Sequence, residues 1–242
     1  MIAESRTPEP TNRPIPTQTR SNLGPLMTTF VPPPHCSRAA LACATCSSAR
    51  QAQLCKTQLN GQKSEDDIEC WPTATAVPSR APMAPLGGLG FYSPGILCPT
   101  GYSTACAISS DANPAQATAL TRGGNFQFPI LAGETGIGCC PDGYQCNRVA
   151  GQQTCRQVIT TSTKIEAMTC EGSTVQTIDA FAVPFVQSSK TIEAFTLYAP
   201  MIQIVHQATD LPENQIQSTS TSTSTSSSQT PTSTSTSPSS IP

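Results

Sequence analysis

Aromatic and charged side chains are scarce in this chain, at 5% and 12% of residues. With so few of either, a large continuous apolar core is not expected. The net charge is −2, so no basic field exists to attract nucleic acid, and no nucleic-acid partner is expected. No run of ~18 apolar residues occurs, so no segment of the chain as given reads as a membrane span. Met1 to Arg20 lacks the ~7–15 apolar residues of a secretory signal. There is no Asn-x-Ser/Thr sequon, so N-glycosylation is not expected. GxSxG, HExxH, Walker A and dinucleotide fingerprints are missing too. Only two histidines exist, His35 and His206, and neither accompanies a nucleophile motif. Asp66 and Asp67 fall in an acidic stretch, Lys63 to Glu69, which reads as a solvated loop with no apolar pocket to raise a pKa. These absences argue against an enzyme.

What is abundant is cysteine, proline and glycine: 12, 23 and 15 residues. A chain of this kind is held by bridges rather than by a large core. Each closed loop contributes about 2–4 kcal/mol. Twelve thiols would need a metal or a catalytic role in a reducing cytosol, so the expected location is extracellular or at the cell surface. The fold class expected is mainly β: a small disulfide-rich ectodomain with one short helix and disordered termini.

The organisation reads from composition. Residues 1–23 are polar and broken by proline, and disorder is expected. A disulfide-stapled head follows over 24–213. Its first cysteine group spans 36–70. Within it Ser47 to Leu59 has serines at its start, helix-forming residues in its body and Asn60-Gly61 at its end, which predicts a helix. Residues 71–90 are a Pro/Gly linker. Residues 91–155 hold a knot built on two Cys-Pro-x-Gly-Tyr units, at Cys98 and Cys140. Between the two units, after a loop containing Asp111, Pro114 and Gly123-Gly124, Phe126 to Gly138 reads as strand, turn, strand, with Gly133-Glu134 at the turn. Residues 156–213 are β-rich, with β-branched and aromatic runs in TCRQVITTST, TVQTIDAFAV, KTIEAFTLY and MIQIVHQA. In the last run Ile202, Ile204 and His206 share one face, and Gln203 and Val205 the other. Residues 214–242 form a Ser/Thr-rich stalk. Of the 23 residues from Ser218 to Ser240, 20 are Ser or Thr, the composition of an O-glycosylated segment.

The cysteines are Cys36, Cys43, Cys46, Cys55 and Cys70 before the linker and Cys98, Cys106, Cys139, Cys140, Cys146, Cys155 and Cys170 after it. Five cannot pair among themselves, so full oxidation requires at least one bridge between the groups. Cys139 and Cys140 are ~3.8 Å apart in Cα, below the usual ~4.4–6.8 Å of a bridge, so they should take different partners on either side of their strand. Cys43-Ala44-Thr45-Cys46 is a CxxC. It reads as a structural bridge, or as a redox pair or half of a zinc site with Cys36, Cys55 or His35. Tyr102 and Tyr144 hold equivalent places in the two repeated units. They could pack the staple, or stack with Trp71 on sugar rings. Trp71 itself reads either as the cap of a small core or as an exposed platform.

Several motifs occur together in one order: GPLMTTFVPPPHC at 24–36, Asp67-Ile68-Glu69-Cys70-Trp71-Pro72, FYSPGILCPTGYSTAC at 91–106, GETGIGCCPDGYQC at 133–146, GQQTC at 151–155 and APMIQIVHQATDLP at 199–212, then the Ser/Thr stalk. With these motifs the chain resembles a family of fungal cysteine-rich surface glycoproteins of unknown function. The resemblance implies a signal peptide, a cysteine-rich ectodomain, the stalk and usually one transmembrane helix. Neither signal nor helix is visible in this chain, and a helix is expected downstream of it. Locally, residues 139–155 are similar to part of a granulin repeat, without that family's ladder of further cysteine pairs.

The function expected is a non-catalytic structural or interaction ectodomain, displayed at a cell surface or wall. Its expected partner is a cell-wall polysaccharide or a surface protein. Two alternatives stand beside it: a chitin- or β-glucan-binding module, and a redox or zinc protein using Cys43 and Cys46.

Overall fold

The computed structural model describes residues 20–41, 46–56, 64–76, 86–110, 126–147, 152–187 and 189–212. The chain divides into two units, Met1–Asp210 and Leu211–Pro242. The expected stalk, residues 1–19, Cys43 and the loop containing Asp111, Pro114 and Gly123-Gly124 lie outside the described residues.

The fold is mainly β. The strands formed by the described residues are β1 (Ala39–Leu41), β2 (Ser48–Arg50), β3 (Gln53–Cys55), β4 (Ser64–Asp66), β5 (Phe91–Tyr92), β6 (Tyr102–Ser109), β7 (Glu134–Pro141), β8 (Gln145–Asn147), β9 (Thr154–Ile159), β10 (Lys164–Glu171), β11 (Thr174–Ala182), β12 (Phe185–Gln187), β13 (Lys190–Ile192), β14 (Phe195–Pro200) and β15 (Ile202–Gln207). They form a seven-stranded sheet in the order β11-β10-β1-β2-β14-β9-β8 and a four-stranded sheet in the order β5-β15-β7-β6. Two ribbons, β3-β4 and β12-β13, complete the set. The chain passes from the larger sheet to the smaller between β14 and β15, with the fully buried Met201 at the step.

The helix predicted over Ser47 to Leu59 does not form where the chain is described. Ser48–Arg50 and Gln53–Cys55 are strands, and residues 57–59 lie outside the described set. The β1–β2 pair is inserted into the larger sheet. β1 runs parallel to β10, and β2 parallel to β14. At the end of β2, Gln51 N donates to Tyr198 O and Ala52 N to Cys36 O. Ala52 has φ 55°, a conformation no α-helix contains. Long-range pairing has overridden local helix propensity, a weak preference that separates ordinary residues by at most about 0.7 kcal/mol each.

Two expected boundaries move. Residues 20–23 fall in the segment expected to be disordered, yet Leu23 is fully buried. Asn22 bridges Phe91 in parallel and Leu26 bridges Gly95, so the segment extends the smaller sheet beyond β5. The Arg20 guanidinium pairs with Glu134 at 2.7 Å and lies 4.7 Å over the Phe91 ring. The expected linker 71–90 is also partly core. Trp71, Leu86, Leu89 and Gly90 are buried. A Cβ at Gly90 would stand 2.2 Å from Ser21 O, so the glycine lets the two backbones approach.

β15 is the centre of the smaller sheet and is covered on both faces. Ile202 and Ile204 join Leu23, Leu26, Trp71, Tyr92 and Cys139. Val205 joins Phe91, Phe128 and Ile130. Phe126 to Leu131 is not the strand expected before the Gly133 turn. Gln203 takes the place of a neighbouring strand: its side chain accepts from Phe128 N at 3.4 Å and donates to Phe128 O at 2.9 Å. Pro129 has no N–H to offer a ladder. A third cluster, with Ala39, Ala49, Phe195 and Leu197, lies on the larger sheet. Several small cores therefore replace one large one.

Five bridges with both cysteines among the described residues hold these pieces: Cys36–Cys70, Cys55–Cys170, Cys98–Cys139, Cys106–Cys146 and Cys140–Cys155. Cys106–Cys146 joins β6 to β8, and Cys140–Cys155 joins β7 to β9, so both connect the two sheets. Cys55–Cys170 ties the β3–β4 ribbon to β10 and is the crossing that parity requires. Cys139 and Cys140 bond to opposite sides of β7, as strand alternation dictates.

Candidate functional site: the paired turns

The two Cys-Pro-x-Gly-Tyr units form matching turns that lie side by side. Tyr102 N donates to Pro99 O at 3.0 Å, and Tyr144 N to Pro141 O at 3.0 Å. Gly101 has φ +76° and Gly143 φ +83°, the left-handed value that the third position of such a turn requires. Asp142 N donates to Gly101 O at 3.0 Å, docking the second turn on the first. Tyr102 also pairs with Pro141 in the β6–β7 ladder. The Cys98–Cys139 and Cys140–Cys155 bridges anchor one turn each. Thr100, Gly101, Asp142 and Gly143 are exposed at the turns, and Ser103 and Thr104, which follow the first turn on β6, are exposed too. A Cβ at Gly101 would meet nothing within 4 Å.

The tyrosine rings of the two turns are committed to packing. Tyr102 is half-buried against the cluster of Trp71, Cys139 and Ile202. Tyr144 is half-buried between the Phe195 cluster and the Cys140 cluster. Its hydroxyl donates to Gln51 Oε1 at 3.0 Å, which joins the turn to the end of β2. Burial pushes the Tyr102 phenol up to about 12. Tyr144 is raised too, first by burial and then by the neighbouring Tyr102, against the bond with Gln51. Trp71 is 2% exposed and cannot be a stacking platform. The reading of an exposed platform is corrected here, because Trp71 follows the bridged Cys70 into the core beside Leu23 and Ile202.

Cys46 is disulfide-bonded, and among the described residues no cysteine is free. The two histidines are far apart in role. His206 is buried on β15, and His35 Nε2 lies 3.1 Å from Asp67 Oδ2. The acidic stretch is not the solvated loop expected. Asp67 is buried. Asp66 accepts from Gln53 Nε2 at 2.8 Å and from Leu86 N at 2.5 Å. Burial raises its pKa, against those two bonds and the Arg50 charge. Leu86 and Gly87, from the segment expected to be a linker, bring their backbone N–H groups to this carboxyl.

Sequence reasoning missed the buried polar residues Glu134, Gln153 and Gln203. Each serves the backbone of a distant segment or a turn. Glu134 accepts from Leu131 N at 2.6 Å, and Gln153 Nε2 donates to Gly90 O at 3.2 Å. No periodic signal marks such residues, since a lone Gln or Glu reads as surface.

No family model matches the chain, and no similar protein or solved structure emerges from the comparisons. Among the described residues no helix is long and apolar enough to cross a membrane. The multiple disulfides are those of a protein from an oxidising compartment.

Proposed function

We propose that this protein is a non-catalytic ectodomain, secreted or held at a cell surface, whose head presents a rigid face to a partner. The observation that carries the reading is the cross-linking of the two sheets by Cys106–Cys146 and Cys140–Cys155. Such a head keeps its shape where no reducing or chaperone system exists. The Ser/Thr-rich tail supports the same reading as a glycosylated tether. So does the resemblance to fungal cysteine-rich surface glycoproteins. A partner-binding role draws on exposed apolar residues. Segment 26–31 runs along 94–100, with Leu26 N bonded to Pro94 O and Thr100 N to Phe30 O. Met27, Val31 and Leu97 are exposed on these two segments. The test is surface labelling of cells with an impermeant reagent, together with thiol counting on the native protein. Labelled protein without alkylatable thiols is the expected result. Cytosolic protein with reduced cysteines would end the reading and would favour redox or zinc chemistry at Cys43 and Cys46.

The polysaccharide reading draws on a different observation: Thr100 and Asp142 are exposed on the two turns, which are docked through Asp142 N and Gly101 O. Recognition would then use hydrogen bonds, with Tyr102 and Tyr144 as half-buried backing. Co-sedimentation of the oxidised chain with insoluble chitin and β-glucan tests it. Saturable retention lost in Thr100→Ala/Asp142→Ala supports a wall-binding module, whereas no retention removes it.

A further inference from the structure

His35, Asp67 and Glu69 converge at one point on the surface. His35 Nε2 is 3.1 Å from Asp67 Oδ2 and 3.9 Å from Glu69 Oε2. All three atoms lie within 4.8 Å of one another. We infer that these three side chains bind one divalent transition-metal cation of the zinc class. The site is independent of the turn face and of the reading proposed above.

The separations suit such an ion. Bonds of about 2.0–2.2 Å in a tetrahedral shell put ligand atoms roughly 3.3–3.5 Å apart. His35 and Asp67 already stand near that spacing. Glu69, 72% exposed along its side chain, can close the remainder by rotating through solvent.

The backbones of all three ligands are placed by covalent and hydrogen-bond constraints. His35 precedes Cys36, and Glu69 precedes Cys70, and those cysteines are bridged. His35 lies in a turn entered through Pro32, Pro33 and Pro34, with Cys36 N bonded to Pro33 O at 3.0 Å. Asp67 N donates to Ala52 O at 2.9 Å. The Oδ1 atom of Asp67 accepts from Glu69 N at 3.0 Å, which leaves Oδ2 directed at His35. A carboxylate fixed through one oxygen and offered through the other is the usual outer-shell arrangement of a ligand.

The donor set selects the ion. One imidazole with two carboxylates suits zinc, cobalt or manganese. Calcium and magnesium prefer all-oxygen shells. Cys36 and Cys70 contribute no thiolate, because they are bonded to each other. Two carboxylates against a divalent charge give a neutral complex. Three protein ligands leave a fourth position facing solvent, open to water or to a group from a partner.

The test is equilibrium dialysis of the full oxidised chain against zinc, with cobalt as a spectroscopic substitute. The expected result is one ion per chain and tetrahedral cobalt bands in the visible. His35→Ala and Glu69→Gln should each weaken binding at least ~10-fold, the lower end of what losing even an orienting partner causes. Glu69→Gln is exposed, so it reports on binding even where His35→Ala perturbs the fold. Absence of stoichiometric binding would overturn the inference. Binding unchanged in Glu69→Gln would do the same, by placing the ion elsewhere.

Discussion

Gly138 and Cys106 stand closer than any side chain at position 138 would allow. A Cβ there would meet Cys106 Sγ at 2.5 Å, and Cys146 Sγ and Met201 Sδ at 2.9 Å. The bridge between the sheets therefore passes over a gap in β7 that only glycine leaves. Gly138→Ala should destabilise the oxidised protein by about 1–3 kcal/mol, the usual range for overpacking. Urea denaturation measures it. An unchanged midpoint would mean that the bridge does not cross β7 at this point.

Arg20→Ala should loosen the start of the head. The mutation leaves the Glu134 carboxylate buried, with the Leu131 N–H as its one remaining partner among the described residues, and removes the cation from the Phe91 ring. A fully buried pair loses about 3–5 kcal/mol on breaking. Arg20 is partly exposed, so the expected loss is smaller, roughly 1–3 kcal/mol. Protease cleavage near residue 20 should accelerate in parallel. Wild-type stability in the variant would detach residues 20–23 from the smaller sheet.

Asp66 carries a predictable pH signature. Its folded pKa lies above the ordinary aspartate value of 3.8 because burial disfavours the charged form. The native state therefore binds more protons than the unfolded state, and stability falls as pH rises through the folded value. Asp66→Asn keeps the Oδ1 acceptor for Gln53 and Leu86 and removes the charge. The variant should match wild type in acid and exceed it at neutral pH. Unfolding free energies measured from acid to neutral pH decide this. A constant difference across the range would show that Asp66 does not titrate with folding.

The phenols should resist ionisation until the head opens. Burial holds Tyr102 near 12 and raises Tyr92 and Tyr144 as well. Tyr92 is fully buried, with its hydroxyl bonded to Pro72 O at 2.6 Å. A raised folded value makes stability fall as pH climbs above the ordinary ~10 and through the folded value. Tyrosinate absorption from these residues should appear together with loss of the β signal in circular dichroism. Reversible ionisation near the ordinary value in an intact fold would show that the rings are free, and would restore the sugar-stacking reading of Tyr102 and Tyr144.

Particular residues show how far the sequence could be read. The two turns were legible because Pro and Gly act through their own dihedrals, and those do not depend on neighbours. The faces of β15 were legible because alternation is local: Ile202 and Ile204 pack one side and Val205 the other. The Ser47 helix failed because Ala, Gln and Leu prefer helix only weakly, while β1 and β14 offered a full ladder of hydrogen bonds. Trp71 was open to two readings, and the Cys36–Cys70 bridge decided between them. The convergence of His35 with Asp67 and Glu69 depended on the same bridge.

The chain by itself determined the disulfide-rich, mainly β character, the repeated turns and the need for a bridge between the two cysteine groups. These follow from composition, single-residue geometry and parity. Tertiary structure alone decided which cysteines meet, that β1 and β2 enter the larger sheet, and which polar groups are buried. Those outcomes rest on contacts between residues far apart in the chain, such as Cys55 and Cys170, separated by 115 positions, or the paired Ser48 and Thr196. No local propensity encodes such contacts, because their free energy appears only when distant segments have already come together.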